Sequence, residues 1–189
     1  MDQNFTFLNS FADISEETYI ELIKFAKLKK IKAGTQLIKL DEVTAKAHLL
    51  ISGTLRSYII TESGKEFNKS FYLPVSFFAS LTALMTRKPS EFIFEALTDC
   101  TIYEIDFYKL MEMCEKNLAV NNMYSKVLES SYLKQEIRMV ELISLDASER
   151  YLELQKQIPN VDKLIPQYHI ASYLGITPVQ LSRIRKNSL

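Results

Sequence analysis

The sequence predicts an α+β protein: an antiparallel β sandwich or barrel with flanking helices, then one long helix, then a small helical unit. Three observations lead to this prediction. Short runs of β-forming residues recur about every ten residues between positions 31 and 105. An unbroken helical pattern follows at residues 117–144. Two short apolar-periodic runs then flank Gly175 within residues 165–186, a spacing typical of two helices that meet through a tight turn.

Composition describes an ordinary globular chain. Its 189 residues are 47% hydrophobic, enough for one good core and a second small one. No apolar run is long enough to span a bilayer, and the polar start lacks the features of a signal peptide, so we expect a cytoplasmic protein with no membrane partner. Lys and Arg together number 23, as do Asp and Glu. Any affinity for nucleic acid must therefore come from a local surface.

Enzyme signatures do not occur in the sequence. There is no P-loop, nucleophile elbow, dinucleotide fingerprint or metal-ligand spacing. Cys100 and Cys114 are too few and too far apart for a CxxC site or a disulfide framework, and we expect both to be buried or inert thiols. The sequence therefore indicates a protein that is not an enzyme, with no catalytic residue and no metal site.

Turn signals divide the β region. Breaks at Gly34, Gly53 and Gly64 favour hairpins, because glycine readily adopts positive φ. The predicted strands lie at residues 36–40, 46–51, 55–60, 66–73, 92–97 and 101–105. Acidic residues after Ser15 and a lysine-rich end predict an amphipathic helix at about residues 16–29, and Asp106 is suited to cap a short helix.

The long helix carries a seam that resembles a heptad repeat with a polar middle. Its members alternate at steps of four and three: Ala119, Met123, Lys126, Ser130, Leu133, Ile137 and Val140. A long helix with one such seam has to bury it, either against its own sandwich or against a second copy of the chain.

The last segment has the local chemistry of a helix-turn-helix. Pro166 suits a helix start, Gly175 suits a helix end, and Thr177-Pro178 suits the start of a second helix. From Lys163 onward the charged residues are all basic: Lys163, Arg183, Arg185 and Lys186. Such a segment favours a phosphate-binding surface, although a helical hairpin with an exposed basic face would look similar.

The run IASYLGITPVQLSRIRK at residues 170–186 resembles the DNA-binding helix-turn-helix of the Crp/Fnr family of bacterial transcription regulators, particularly its short Bacteroidetes-type members. The order of Lys32-Ala33-Gly34, Ser52-Gly53 and Gly64-Lys65 is similar to that in the family's cyclic-nucleotide-binding jelly roll. The resemblance implies a sensor jelly roll at residues 1–115, a long dimerisation and linker helix at 116–145, and a helix-turn-helix DNA-binding domain at 146–189. It also implies a homodimer on double-stranded DNA, with RNA polymerase as a further candidate partner.

The second helix of the motif is expected to enter the major groove. The predicted DNA-binding residues are Thr177, Val179, Gln180, Ser182, Arg183, Arg185 and Lys186. Gln180 suits adenine, Arg183 suits guanine and Val179 suits a thymine methyl group, while the other four suit phosphate. The best-known family members begin this helix with Arg-Glu where this chain has Pro178-Val179, so the resemblance does not imply an operator sequence.

The resemblance fails at the ligand pocket. Nucleotide-binding members hold the cyclic phosphate with an Arg-Ser/Thr pair, and here Ser90-Glu91 falls at that place, so a carboxylate replaces a cation. We therefore expect no usual binding of cyclic nucleotides, unless a shifted loop brings Arg87 or Lys88 inward. A pocket for an unknown small-molecule effector is predicted at Phe77, Phe78, Ser80, Glu91, Phe92, Tyr124 and Ser125, although the aromatic residues are as easily core.

No cofactor is expected. The family's iron-sulfur sensors carry an N-terminal cysteine cluster, and no cysteine precedes Cys100. His48 is the only histidine of the β region, and a lone histidine in a strand is more often structural than a haem ligand. His169, in the first helix of the motif, is as easily a surface residue or an incidental phosphate contact. The rival hypothesis is a ligand-binding or protein-interaction module with a vestigial DNA-binding domain, since the chain stops at Leu189 and leaves no room for a C-terminal wing.

Overall fold

The computed structural model of the protein describes residues 3–187. Within this range the helices are α1 (Gln3–Asn9), α2 (Glu16–Lys24), α3 (Leu81–Thr86), α4 (Phe107–Lys116), α5 (Leu118–Ser144), α6 (Ala147–Gln157), α7 (Val161–Leu164), α8 (Gln167–Leu174) and α9 (Pro178–Asn187). The strands are β1 (Ala26–Ile31), β2 (Gln36–Ile38), β3 (Lys46–Ser52), β4 (Leu55–Ile60), β5 (Glu66–Tyr72), β6 (Ser76–Phe78), β7 (Ile93–Ala96) and β8 (Cys100–Asp106).

The strands form two four-stranded antiparallel sheets, with the orders β1-β8-β3-β6 and β2-β7-β4-β5. Apolar side chains that alternate along the strands fill the space between the sheets. The buried members of this core are Ile38, Leu50, Leu55, Phe78, Phe94, Ala96, Cys100 and Ile102. Helices flank the sandwich and continue into a long helix and a helical C-terminal unit. The predicted α+β fold class with an antiparallel β sandwich is confirmed.

The predicted helix at residues 16–29 is wrong beyond Lys24. Ser15 caps α2 as expected, but the chain then forms β1, which pairs with β8 from Ala26 opposite Ile105 to Ile31 opposite Cys100. The lysines of this segment lie on an edge strand, where charged side chains discourage further strand pairing. An acidic start followed by a basic end is typical of a helix, so the local sequence pattern predicts a helix where the chain forms strand β1.

The long helix α5 begins where the sequence predicts. The side chain of Asn117 caps it and accepts hydrogen bonds from the backbone N–H groups of Ala119 and Val120, at 3.0 and 3.3 Å. Near its start, Val120 and Met123 are buried against the N-terminal helices α1 and α2. The second half of α5 leaves a row of large apolar side chains exposed.

The C-terminal helices α6 to α9 share a core of their own. A capping box between Asp146 and Glu149 fixes the start of α6. The buried members of this core are Tyr151, Leu154, Ile158, Val161, Ile165, Ile170, Ala171, Leu174 and Leu181. The unit also packs on the sandwich, where the ring centroids of Phe71 and Tyr173 lie 5.1 Å apart. Among the helices of residues 3–187, none is long and apolar enough to cross a membrane.

Candidate DNA-binding surface and sensor interior

Helices α8 and α9 are joined by a short turn with the predicted chemistry. Gly175 ends α8 at φ 73°, in the left-handed region that glycine enters without steric cost. Thr177 and Gln180 cap α9 reciprocally: the Thr177 N–H donates to Gln180 Oε1 at 2.9 Å, and the Gln180 N–H donates to Thr177 Oγ1 at 3.2 Å. Ala171 and Leu181 are fully buried between the two helices. The two helices therefore form a helix-turn-helix.

The outer side of α9 forms an open groove with the start of α8. The groove has a volume of about 570 Å³ and is lined by Gln167, Tyr168, Pro178, Val179, Ser182, Arg183 and Lys186. Its charged side chains are both basic, and no carboxylate lies among these lining residues. Four of the predicted DNA-binding residues, Val179, Ser182, Arg183 and Lys186, are brought together here.

The other three predicted DNA-binding residues are already engaged within the helical unit. Thr177 and Gln180 form the cap, and a bidentate contact of Gln180 with adenine would need the same Oε1 atom. Arg185 Nε lies 3.5 Å from Asp162 Oδ1. The basic segment defined from the sequence begins only at Lys163. Asp162, the residue just before, was therefore not recognised as an opposing carboxylate.

Two groove residues, Gln167 and Tyr168, were not among the predicted DNA-binding residues. Tyr168 falls in the apolar-periodic pattern of α8 and looks like a core residue, but it is 59% exposed. Gln167 Nε2 donates to the carbonyl of Pro178 at 3.0 Å and ties the starts of the two helices together. The exposure of Tyr168 depends on how α8 is rotated against the sandwich, and the sequence pattern alone does not give that orientation.

The opposite side of α8 faces the sandwich. His169 is only 3% exposed, so the two expectations for it, a surface residue or an incidental phosphate contact, are both wrong. Its Nδ1 atom lies 3.0 Å from Nη1 of Arg56, which itself is buried. A guanidinium group can only donate, so His169 must present a lone pair at Nδ1. Burial, together with the charge of Arg56, lowers the pKa of His169 to about 4, which keeps the ring neutral at physiological pH.

Further polar bonds join α8 to strand β5. The Asn68 N–H donates to Ser172 Oγ at 3.0 Å, and Ser172 Oγ donates to the carbonyl of Glu66 at 2.9 Å. Asn68 Nδ2 donates to the carbonyl of His169 at 3.2 Å. Arg56 is held in place by ion pairs with Glu66 at 2.5 Å and Glu95 at 2.7 Å. We call Arg56, Glu66, Asn68, His169 and Ser172 the sheet–helix contact.

The interior of the sandwich is filled by the protein's own rings. Tyr72, Phe78 and Phe94 have centroids 5.7 to 5.9 Å apart, and His48 stacks on Phe78 at 4.7 Å. Burial lowers the pKa of His48 to about 4, so this ring is also neutral at physiological pH. The aromatic side chains therefore occupy the space between the sheets.

The predicted effector pocket residues do not meet in one place. Phe78 and Phe92 face the sandwich core, whereas Phe77 packs outside it against Phe7 and Phe11. Ser80 is buried, with its hydroxyl oxygen 2.8 Å from that of Ser90. Glu91 is exposed. Tyr124 and Ser125 are half-buried on α5, and the ring of Tyr124 contacts Phe107 with centroids 6.4 Å apart.

The sequence leaves room for Arg87 or Lys88 to turn inward, and neither side chain does so. Arg87 and Lys88 are both exposed. Lys69, which carries no recognisable motif in the sequence, lies on β5 with its ammonium 4.3 Å from the ring centroid of Phe92. Burial lowers the pKa of Lys69. Across residues 3–187, no group of three or more His, Cys, Asp or Glu side chains is arranged to hold a metal ion.

Comparisons with known proteins agree with this architecture. The cyclic nucleotide-binding domain family matches residues 28–117. An anaerobic regulatory protein from Haemophilus influenzae is 27% identical over 187 residues, covering 90% of this chain and 70% of that protein. The structure of FixK2 from Bradyrhizobium japonicum has a TM-score of 0.73 at 19% identity, covering 86% of this chain and 83% of that one. A Crp/Fnr-family regulator structure from Eubacterium rectale has a TM-score of 0.71 at 15% identity, covering 93% and 83%.

A cyclic-nucleotide-binding type of β sandwich, followed by a long helix and a helix-turn-helix, defines a class of DNA-binding regulators with a built-in sensor fold. The chain is similar over most of its length to regulators of the Crp/Fnr type, in agreement with the resemblance seen in the sequence.

Proposed function

We propose that the protein is a cytoplasmic homodimer that regulates transcription by reading double-stranded DNA with α9, and that its sandwich does not hold cyclic nucleotides in the usual way. The observation that carries the proposal is the exposed groove around Val179, Arg183 and Lys186, which has basic but no acidic lining side chains. The proposal divides the chain into a sensor at residues 1–115, a dimerisation helix at 116–145 and a DNA-binding domain at 146–189. It assigns no catalytic role to any residue.

The groove supports distinct roles for its residues. Arg183 is positioned to read guanine, and Val179 to contact a thymine methyl group, because both lie on the exposed side of α9. Ser182 and Lys186 contact phosphate in this proposal. Thr177, Gln180 and Arg185 hold α9 in place through the cap and the pair with Asp162, and any DNA contact they make must be compatible with those bonds.

Arg183→Ala should weaken binding to a selected operator by about 1 to 3 kcal/mol and relax discrimination at one base pair. Lys186→Ala should instead weaken operator and random DNA alike and reduce the salt slope by about one charge, because a phosphate contact carries no sequence information. Fluorescence anisotropy at several salt concentrations measures both effects.

Lys163→Ala is the matched control for these variants. Lys163 is an exposed lysine on α7 of the same helical unit and does not line the groove, so its removal should change neither affinity nor specificity. Equal losses on operator and random DNA for Arg183→Ala and Lys186→Ala would refute the assigned roles.

The dimer is supported by the exposed half of α5. Leu133, Ile137 and Val140 are each more than half exposed and lie on one helix face at steps of four and three residues. Two-fold pairing of this stripe would bury it and present two copies of α9 to half-sites about one helical turn apart.

Titration calorimetry should detect no binding of cyclic AMP at ligand concentrations up to about 1 mM. The ring cluster of Tyr72, Phe78 and Phe94 occupies the sandwich interior, and Ser90-Glu91 stands where the family's Arg-Ser/Thr pair is expected, so this pair supplies no cation for a phosphate. A dissociation constant in the micromolar range would contradict this part of the proposal.

The rival function, a ligand-binding or protein-interaction module with a vestigial DNA-binding domain, was based on the end of the chain at Leu189, which lies outside the described residues. No observation favours it. A gel shift against the protein's own promoter region at rising salt separates the two functions, since only a regulator retains sequence preference.

A further inference from the structure

Helix α8 contacts two different surfaces through neighbouring residues. Tyr168 lines the groove beside α9, whereas the next residue, His169, is buried against the sandwich. One turn further along, Ser172 bonds to the backbone of β5. A displacement of α8 relative to β5 would therefore move the groove as well.

The sheet–helix contact is specific in its geometry. The guanidinium of Arg56 is fixed by Glu66 and Glu95. Its Nη1 atom also lies 3.3 Å from Asn68 Oδ1 and 3.0 Å from His169 Nδ1, so His169 is one of a few defined acceptors around it. Ser172 adds both a donor and an acceptor to the edge of β5. Several directional bonds that must form together define one orientation of the helical unit, unlike apolar packing alone.

The same contact does not cover the DNA-reading side of α9. Val179 is 61% exposed while His169 and Ser172 are bound to the sandwich. The contact therefore does not block DNA sterically, and its effect on DNA binding has to come from orientation.

We propose that His169 and Ser172 are positioning residues that fix α8 and α9 on the sensor sheet, so that the two recognition helices of a dimer are held at the separation of two half-sites. The inference rests on the proposed function. If the recognition helices were freely tethered, DNA binding would have to order them and would lose conformational entropy. If they are already fixed, binding does not carry this entropy cost. The advantage applies only when both half-sites are occupied.

The test uses the full chain and two duplexes: a palindromic operator selected from random DNA by the wild-type protein, and a duplex with one half-site. His169→Leu removes the acceptor for Arg56. His169→Asn is the conservative variant, because its side-chain oxygen can accept a hydrogen bond near the position of Nδ1. Ser172→Ala removes the bonds to β5 and suits a helix, so it tests the idea even if His169→Leu fails to fold. Ser148→Ala, an exposed serine on α6, is the matched control.

We expect His169→Leu and Ser172→Ala to lower affinity for the full operator about tenfold, as the loss of one or two hydrogen bonds implies, while half-site affinity changes less than about twofold. His169→Asn should restore most of the full-site affinity, and Ser148→Ala should match wild type.

Three results would overturn the inference: equal losses on both duplexes, full-site affinity unchanged in Ser172→Ala, or tighter full-site binding by either variant. Failure of the proposed function looks different, because the wild-type protein would then select no operator.

Discussion

Ile137→Glu is expected to turn the dimer into a monomer at micromolar concentration and to weaken operator binding by more than about 100-fold. Ile137 is 55% exposed in the middle of the stripe formed with Leu133 and Val140. A carboxylate there is solvated in the monomer and should leave the fold intact. In a dimer, the two introduced carboxylates would meet near the two-fold axis, where they would lose their hydration and repel each other. Sedimentation velocity measures the oligomeric state, and anisotropy measures the affinity.

Ile20→Glu provides the matched control. Ile20 lies on α2 and is 52% exposed, nearly as much as Ile137. Ile20→Glu therefore adds the same charge at a similarly exposed position that is not on α5. It should sediment as a dimer and bind the operator as wild type does. If Ile137→Glu sediments as a dimer with normal operator affinity, α5 is not the dimer interface.

Gly53→Ala is expected to reduce the free energy of unfolding by more than about 3 kcal/mol, in the range of severe core changes. Gly53 has φ 94° in the turn between β3 and β4, where an L side chain is strained. A Cβ atom at this position would lie 2.5 Å from the carbonyl oxygen of Asp99 and 2.5 Å from Cys100 Sγ. Asp99 directly precedes β8 and Cys100 is its first residue, so these atoms cannot move away without disturbing the pairing of β8 with β3. Urea unfolding measures the loss.

Gly64→Ala separates backbone strain from the close contact. Gly64 has φ 76° in the turn between β4 and β5, and no atom lies within 4 Å of a Cβ built there. The loss should be only about 1 to 2 kcal/mol, the usual cost of a left-handed alanine. Similar losses for the two variants would show that the contact with Asp99 and Cys100 contributes nothing.

Elements with strong local signals were predictable from the sequence. Asn117 before a long periodic run marked the start of α5, and Gly175 with Thr177-Pro178 marked the helix-turn-helix. Strand β1 was missed because its identity depends on pairing with β8, about seventy to eighty positions away, while its own charge order fits a helix. Short strand β6 carried too few residues for a periodic signal.

The proposed DNA-binding groove was also partly predictable from local sequence signals. Arg183 and Lys186 stand out as cations in a basic segment, and both lie in the groove. The Thr-x-x-Gln spacing of Thr177 and Gln180 is itself a capping-box pattern, so their mutual bonds could have been anticipated. The burial of His169 could not, because it depends on how α8 sits on a strand about a hundred residues earlier.

Strand β5 lies at the edge of its sheet, and the side chain of Ser172 engages the N–H of Asn68 and the carbonyl of Glu66 there. A bare edge with free backbone groups, next to a partly exposed aromatic residue such as Phe67, is a template for pairing with strands of other chains. The C-terminal helical unit therefore covers part of this edge, and we expect a chain that lost this cover to self-associate more readily.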